Sequence, residues 1–141
     1  MFNINIFNEE VDFSLNQKSN VLSWIVDVVK QEGCSIKELN YIFCSDDYLI
    51  NINQQFLNHD TFTDIITFDN SNEKHLIESD IYISVERVAE NAQLYNVNFE
   101  DELHRVMVHG VLHLMGWSDK TDEDKQAMRQ KEDACLSLLS I

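Results

Sequence analysis

His109 and His113 stand four residues apart in the run His109-Gly-Val-Leu-His113-Leu-Met-Gly116-Trp-Ser-Asp119. On a helix that spacing puts both imidazoles on one side, one turn apart, where they can converge on a single metal ion. Gly116 suits a left-handed helix terminus three residues beyond His113, and a turn there would bring Asp119 back toward the histidines. Two imidazoles and a carboxylate are an acceptable zinc donor set, and three protein ligands leave a coordination position open, as catalytic zinc sites do. Water bound there is activated toward a pKa of ~7, or a phosphoryl oxygen is polarised.

Plainer readings compete at each position. A lone histidine reads most simply as a satisfied core or surface residue. Two at this spacing on an otherwise apolar helix are harder to explain that way, because unpaired buried rings are costly. Asp119 has an alternative role as a cap for the following helix. Gly110 sits mid-helix, where it costs about 1 kcal/mol relative to alanine. It allows close packing against a neighbour, open space beside a metal, or both. Trp117 is read as packing that fixes the turn. The run is close to the His-Glu-x-x-His-x-x-Gly-x-x-His of zinc proteases, but Gly110 stands where those enzymes carry their glutamate base. Peptide hydrolysis by their route is therefore not expected.

The helix bearing the pair must run through the centre of the domain. Phe99, Leu103, Val106, Met107, Gly110, Val111 and Leu114 gather on one stripe, Val108, Leu112 and Met115 on another. The remaining strip holds Glu102, Arg105, His109 and His113. Asn98 caps this helix, with Glu100, Asp101 and Glu102 in its first turn. After the turn, Thr121 and Asp124 form a capping box for a last helix whose apolar side is Met128, Cys135, Leu138 and Leu139.

Upstream, residues 2–7 alternate as a strand, with Phe2, Ile4 and Ile6 facing one way and Phe7 following. From about Asn16, Val21, Leu22, Ile25, Val28 and Val29 fall at helical spacing, and Gly33 stops that helix. Residues 38–44 read as a strand with Leu39, Tyr41 and Phe43 on one face. Ser45 caps a short helix carrying Leu49, Ile52 and Phe56, and Asn58 to Thr61 read as a loop. Ile65 to Phe68 and Leu76 to Ser84 are two further strands, and Ser84 caps a helix carrying Val85, Val88, Ala89, Ala92 and Tyr95. Strands in the first half and helices concentrated in the second predict an α+β fold: one domain over residues 1–141, with about four strands in a mixed sheet and about five helices.

The chain of 141 residues has a formal net charge of −15, spread along its length. Such a surface repels nucleic acid at long range, so a nucleic-acid role needs a local basic patch, a metal, or delivery by a partner. The complete absence of proline, against an average usage of ~5%, carries no functional conclusion. Three scattered cysteines with no Cys-x-x-Cys pair read as buried free thiols in a reducing compartment. No apolar run approaches the ~20 residues of a membrane helix, and the amino terminus lacks a signal-peptide pattern. A soluble cytoplasmic protein is expected, with no membrane association.

These residues resemble the YbeY family of bacterial rRNA-maturation endoribonucleases. The family's His-Gly-x-Leu-His-Leu-x-Gly-Tyr-Asp-His is matched by His109, Gly110, Leu112, His113, Leu114 and Gly116. Thr63-Asp64-Ile65-Ile66-Thr67-Phe68 is similar to its Thr-Asp-Val-Leu-Ser-Phe strand, and Ser79-Asp80-Ile81-Tyr82-Ile83-Ser84 to its Gly-Asp-Ile-x-Ile-Ser strand. The resemblance implies a zincin-like fold, one zinc ion, and a single-strand-specific metal-dependent endoribonuclease. It further implies a role in rRNA processing, at the small-subunit 3′ end, and in ribosome quality control, with rRNA or ribosomal particles and protein partners. The alternative function is a ribosome-associated zinc-binding factor with little catalysis of its own.

Two departures bear on the site. Asp119 stands where the family carries its third histidine, making the ligand set His109, His113 and Asp119. Leu57 replaces an arginine that the family places after an aromatic residue, removing a side chain expected to engage phosphate. Arg105 and His59 are the candidate substitutes, although either also reads as an ordinary solvated side chain.

Overall fold

The computed structural model describes residues 3–57 and 63–139, the side chain of Leu57 excepted. The sheet is mixed, in the order β1-β2-β4-β3. β1 (Ile4–Glu9), β2 (Ser35–Cys44) and β4 (Leu76–Ser84) run parallel, and β3 (Ile65–Asp69) pairs antiparallel with β4 along the outer edge. Five helices complete the described residues: α1 (Lys18–Gln31), α2 (Asp46–Leu57), α3 (Val85–Leu94), α4 (Phe99–Leu114) and α5 (Asp122–Leu136). The predicted α+β class and its four-strand, five-helix outline are observed.

β4 alternates along its length, with Ile77, Ser79, Ile81 and Ile83 buried and the residues between them only partly so. Tyr41 pairs in register with Ile81 and Phe43 with Ile83, and all four are fully buried. α4 lies centrally, with Leu103, Met107, Val108, Val111 and Leu112 removed from solvent. The Tyr41 hydroxyl donates to the Met107 carbonyl oxygen at 2.9 Å, tying β2 to the middle of the histidine helix. A smaller cluster of Cys44, Leu49 and Ile66 seals α2 against the sheet. No helix among the described residues is long and apolar enough to cross a membrane.

Several boundaries differ from the sequence reading. β1 runs to Glu9 because its partner strand extends to Cys44, and Phe7 is half exposed on it. Phe2 lies outside the described residues. β2 begins at Ser35, directly after the Gly33 turn, and an irregularity between Ile36 and Glu38 breaks the alternation that marks a strand. α1 starts two residues later than Asn16, and Gln17 at its N-cap adopts a left-handed conformation without a side-chain cap. Ser45, Ser84 and Asn98 cap their helices as read, accepting from the Tyr48, Arg87 and Asp101 backbone N–H groups. Phe56, Ala89, Tyr95 and Leu138 are exposed rather than core. Leu138 and Leu139 lie beyond the end of α5, where helical spacing no longer governs which way a side chain points. Of the cysteines, Cys44 and Cys135 are buried and Cys34 is partly exposed, all free. Burial pushes the Cys44 thiol up to about 12, which makes it inert.

Candidate metal centre and its pocket

α4 delivers His109 and His113 to one side of a pocket of about 580 Å³ that Asp119 also lines. The helix then ends as its glycine dictates. Gly116 has φ +103°, its N–H donates to the His113 carbonyl oxygen, and the Trp117 N–H donates to Leu112 at 3.0 Å. This pair of bonds is the glycine-terminated helix stop anticipated from sequence. Trp117 anchors the turn through its indole N–H, which donates to Glu32 at 2.9 Å, while Lys131 lies 5.4 Å above its ring. The folded-back segment brings Asp119 Oδ2 to 3.5 Å from His109 Nε2. The cap of α5 is Thr121, with its reciprocal Asp124 bonds in place, so Asp119 does not serve as that cap.

At Gly110 close packing is observed. A Cβ at Gly110 would stand 3.0 Å from Ile81 Cδ1 and 3.1 Å from Ile65 Cδ1. The absent side chain lets α4 approach β3 and β4.

Glu132, on α5, is the residue that sequence reasoning missed. It is buried, its Oε2 lies 2.7 Å from His109 Nδ1, and its Oε1 accepts from Arg105 Nη1 at 2.9 Å. Its position was visible as a carboxylate within the apolar stripe Met128, Glu132, Cys135, a place where an unpaired charge is not tolerated. With Nδ1 engaged, His109 presents Nε2 toward Asp119 and the open pocket. The Glu132 bond holds the His109 imidazole above the usual histidine range, against the opposing effect of burial.

Arg105 does not stand free to meet a substrate. It is mostly buried and forms ion pairs with Glu132 and Asp133. His59 lies outside the described residues. Two more carboxylates line the pocket, Asp64 at the start of β3 and Glu102 on α4, and burial raises both above the usual carboxylate range. Such displaced acids in a cleft are common at catalytic sites.

The donors suit a divalent ion. Two ligands at a tetrahedral zinc with bonds of about 2.0–2.1 Å stand about 3.4 Å apart, close to the 3.5 Å between His109 Nε2 and Asp119 Oδ2. The Glu132 bond to Nδ1 is the arrangement that orients metal-binding histidines. His113 lines the same pocket. Among the described residues no group of three or more His, Cys, Asp or Glu stands close enough together to hold a metal ion.

Comparison with known proteins agrees across the chain. The family model described as Endoribonuclease YbeY matches residues 3–140. The protein named Endoribonuclease YbeY from Cytophaga hutchinsonii is 54% identical over 132 residues, covering 94% of this chain and 92% of that one. Its namesake from Flavobacterium psychrophilum is 52% identical over 135 residues, covering 96% of each. Among solved structures, the solution structure of TM1509 from Thermotoga maritima superposes with a TM-score of 0.68 at 31% identity, over 95% of this chain and 87% of that one.

Proposed function

The chain belongs to the YbeY endoribonuclease family, and on that premise we propose that it is a metal-dependent, single-strand-specific endoribonuclease of rRNA processing. Its proposed place is the maturation of the small-subunit 3′ end and ribosome quality control in the cytoplasm, with ribosomal particles and protein partners, the span 1–141 acting as one hydrolase domain. The observation that carries the reading is similarity to named endoribonucleases over nearly the whole chain, at 54% and 52% identity.

His109, His113 and Asp119 are assigned as ligands of one ion, with zinc the ion their donors suit best. When bound, such an ion supplies Lewis-acid stabilisation to a phosphoryl oxygen and a water activated near neutral pH. Glu132 holds the His109 ring in the tautomer that turns Nε2 toward the pocket. Arg105 acts at one remove, as the positioning partner of Glu132. Asp64 and Glu102, both raised by burial, are the pocket carboxylates displaced toward the protonated form.

The test is cleavage of single-stranded and rRNA-derived substrates by purified protein with zinc or manganese restored, paired with mapping of rRNA ends in a deletion strain. Metal-dependent cutting and unprocessed small-subunit ends are expected. Uncut RNA together with normal rRNA ends would reject the reading.

A further inference from the structure

We propose that Lys125 and Arg129 on α5, with Tyr95 at the end of α3, form the wall of the pocket that binds single-stranded RNA: the two cations take backbone phosphates and the tyrosine ring stacks a base.

The argument starts from charge. The chain carries 25 acidic and 10 basic residues, so its surface as a whole opposes RNA. A substrate path must be a local exception, and the pocket holding His109, His113 and Asp119 is lined by Arg105, Lys125 and Arg129. Arg105 is committed to Glu132 and Asp133, which neutralise it. Lys125 and Arg129 differ in each respect. Both are exposed, they sit one turn apart on α5 with the buried Met128 between them, and neither has an ion-pair partner among the described residues. Burial raises the Glu102 carboxyl, and the Arg129 charge, after that of Arg105, acts on it in the opposite direction.

The aromatic partner comes from the facing element. Tyr95 lines the same pocket, is 51% exposed, and stacks on no other ring among the described residues. It ends α3, whose following turn places Asn96 at φ +59° before α4 begins. A half-exposed tyrosine with no ring partner among the described residues, lining the same pocket as two cations with no ion-pair partner among them, has the composition of a single-strand platform: cations tracking the backbone and an aromatic face accepting any base. Duplex RNA offers no free base face to such a ring.

This proposal rests on the endoribonuclease reading, and its test separates the two. Metal-loaded protein is titrated against a fluorescein-labelled single-stranded uridine oligonucleotide over a range of KCl concentrations, with cleavage of an unlabelled strand followed in parallel. Each phosphate contact contributes about 0.7 to the slope of log K against log salt for single strands. Lys125→Ala with Arg129→Ala should therefore flatten that slope by about 1.4. Lys30→Ala with Lys74→Ala changes net charge equally at exposed positions away from the pocket, and should keep the wild-type slope. Tyr95→Ala should weaken binding about tenfold at fixed salt, with Tyr95→Phe restoring it. An unchanged slope in the Lys125/Arg129 variant, or equal flattening in the Lys30/Lys74 control, overturns the proposal. Wild-type protein that binds with the expected slope but cuts nothing keeps the RNA wall and rejects the nuclease reading; wild-type protein that does neither rejects both.

Discussion

Glu132 Oε2 meets His109 Nδ1 at 2.7 Å while its Oε1 accepts from Arg105 at 2.9 Å, so one buried carboxylate joins the histidine helix to α5 at two points. A free imidazole rotates and exchanges tautomers; one bonded through Nδ1 offers Nε2 in a fixed direction. Replacing Glu132 by Gln keeps the shape and removes the charge. Affinity for zinc should fall about 10- to 100-fold, read by competition with a chromophoric chelator. Unchanged affinity would mean that packing alone orients the ring.

The ligand assignment makes a separate and sharper claim. His109→Ala and Asp119→Ala should each lose stoichiometric metal, whereas Asp119→His should retain it, because imidazole and carboxylate are both zinc donors and the turn at Gly116 already delivers that position to His109. Elemental analysis of the purified variants decides it. Full metal content in both alanine variants would remove these two residues from the ligand set.

Gly110 offers a test of packing with no chemistry in it. Gly110→Ala gains about 1 kcal/mol of helix propensity but drives a methyl group against Ile81 Cδ1 at 3.0 Å and Ile65 Cδ1 at 3.1 Å. Overpacking of this kind costs about 1–3 kcal/mol, so a net loss of up to about 2 kcal/mol is expected in urea denaturation. Adding Ile81→Val deletes the nearer methyl. The double variant should lose less than the sum of the single losses, and strict additivity would show that the helix shifts away instead.

Much of this was legible in the chain because local rules and the fold agree. Asn98, Ser84, Thr121 with Asp124, and Gly116 each end or begin a helix for reasons within a few residues of themselves. The His109 and His113 pair reads from spacing alone. What stayed hidden depends on contacts across the chain. Glu132 meets His109 over 23 residues, and Trp117 meets Glu32 over 85. Arg105 lies on the same helix strip as the histidines, yet its charge is consumed by α5, and no local pattern announces that. Exposure was misjudged where an element ends: Tyr95 and Leu138 carry apolar spacing past the helix that gave it meaning.

His104 gives the molecule a pH-dependent stability apart from the metal pocket. It is buried on α4, edge-on to Trp24 with ring centroids 6.1 Å apart, and its Nε2 has no hydrogen-bond partner among the described residues. Burial holds its imidazole below the usual histidine range, with Glu100, whose Oε2 stands 3.8 Å from Nε2, and Asp101 acting the other way. The folded state therefore binds a proton less readily than the unfolded chain, whose histidines titrate near ~6.5. The neutral ring's contribution is fully present above that value, and is lost as pH falls from there toward the depressed folded-state value. One proton sets the limit on the slope, about 1.4 kcal/mol per pH unit. Urea unfolding from pH 8 to pH 5.5, with chelator present throughout, should show wild type losing ground to His104→Leu as the pH drops, since leucine fills the space and cannot charge. The comparison between variants cancels the titration of His109 and the other shared groups. A stability difference that stays constant across that range would show that His104 charges as easily inside the fold as outside it.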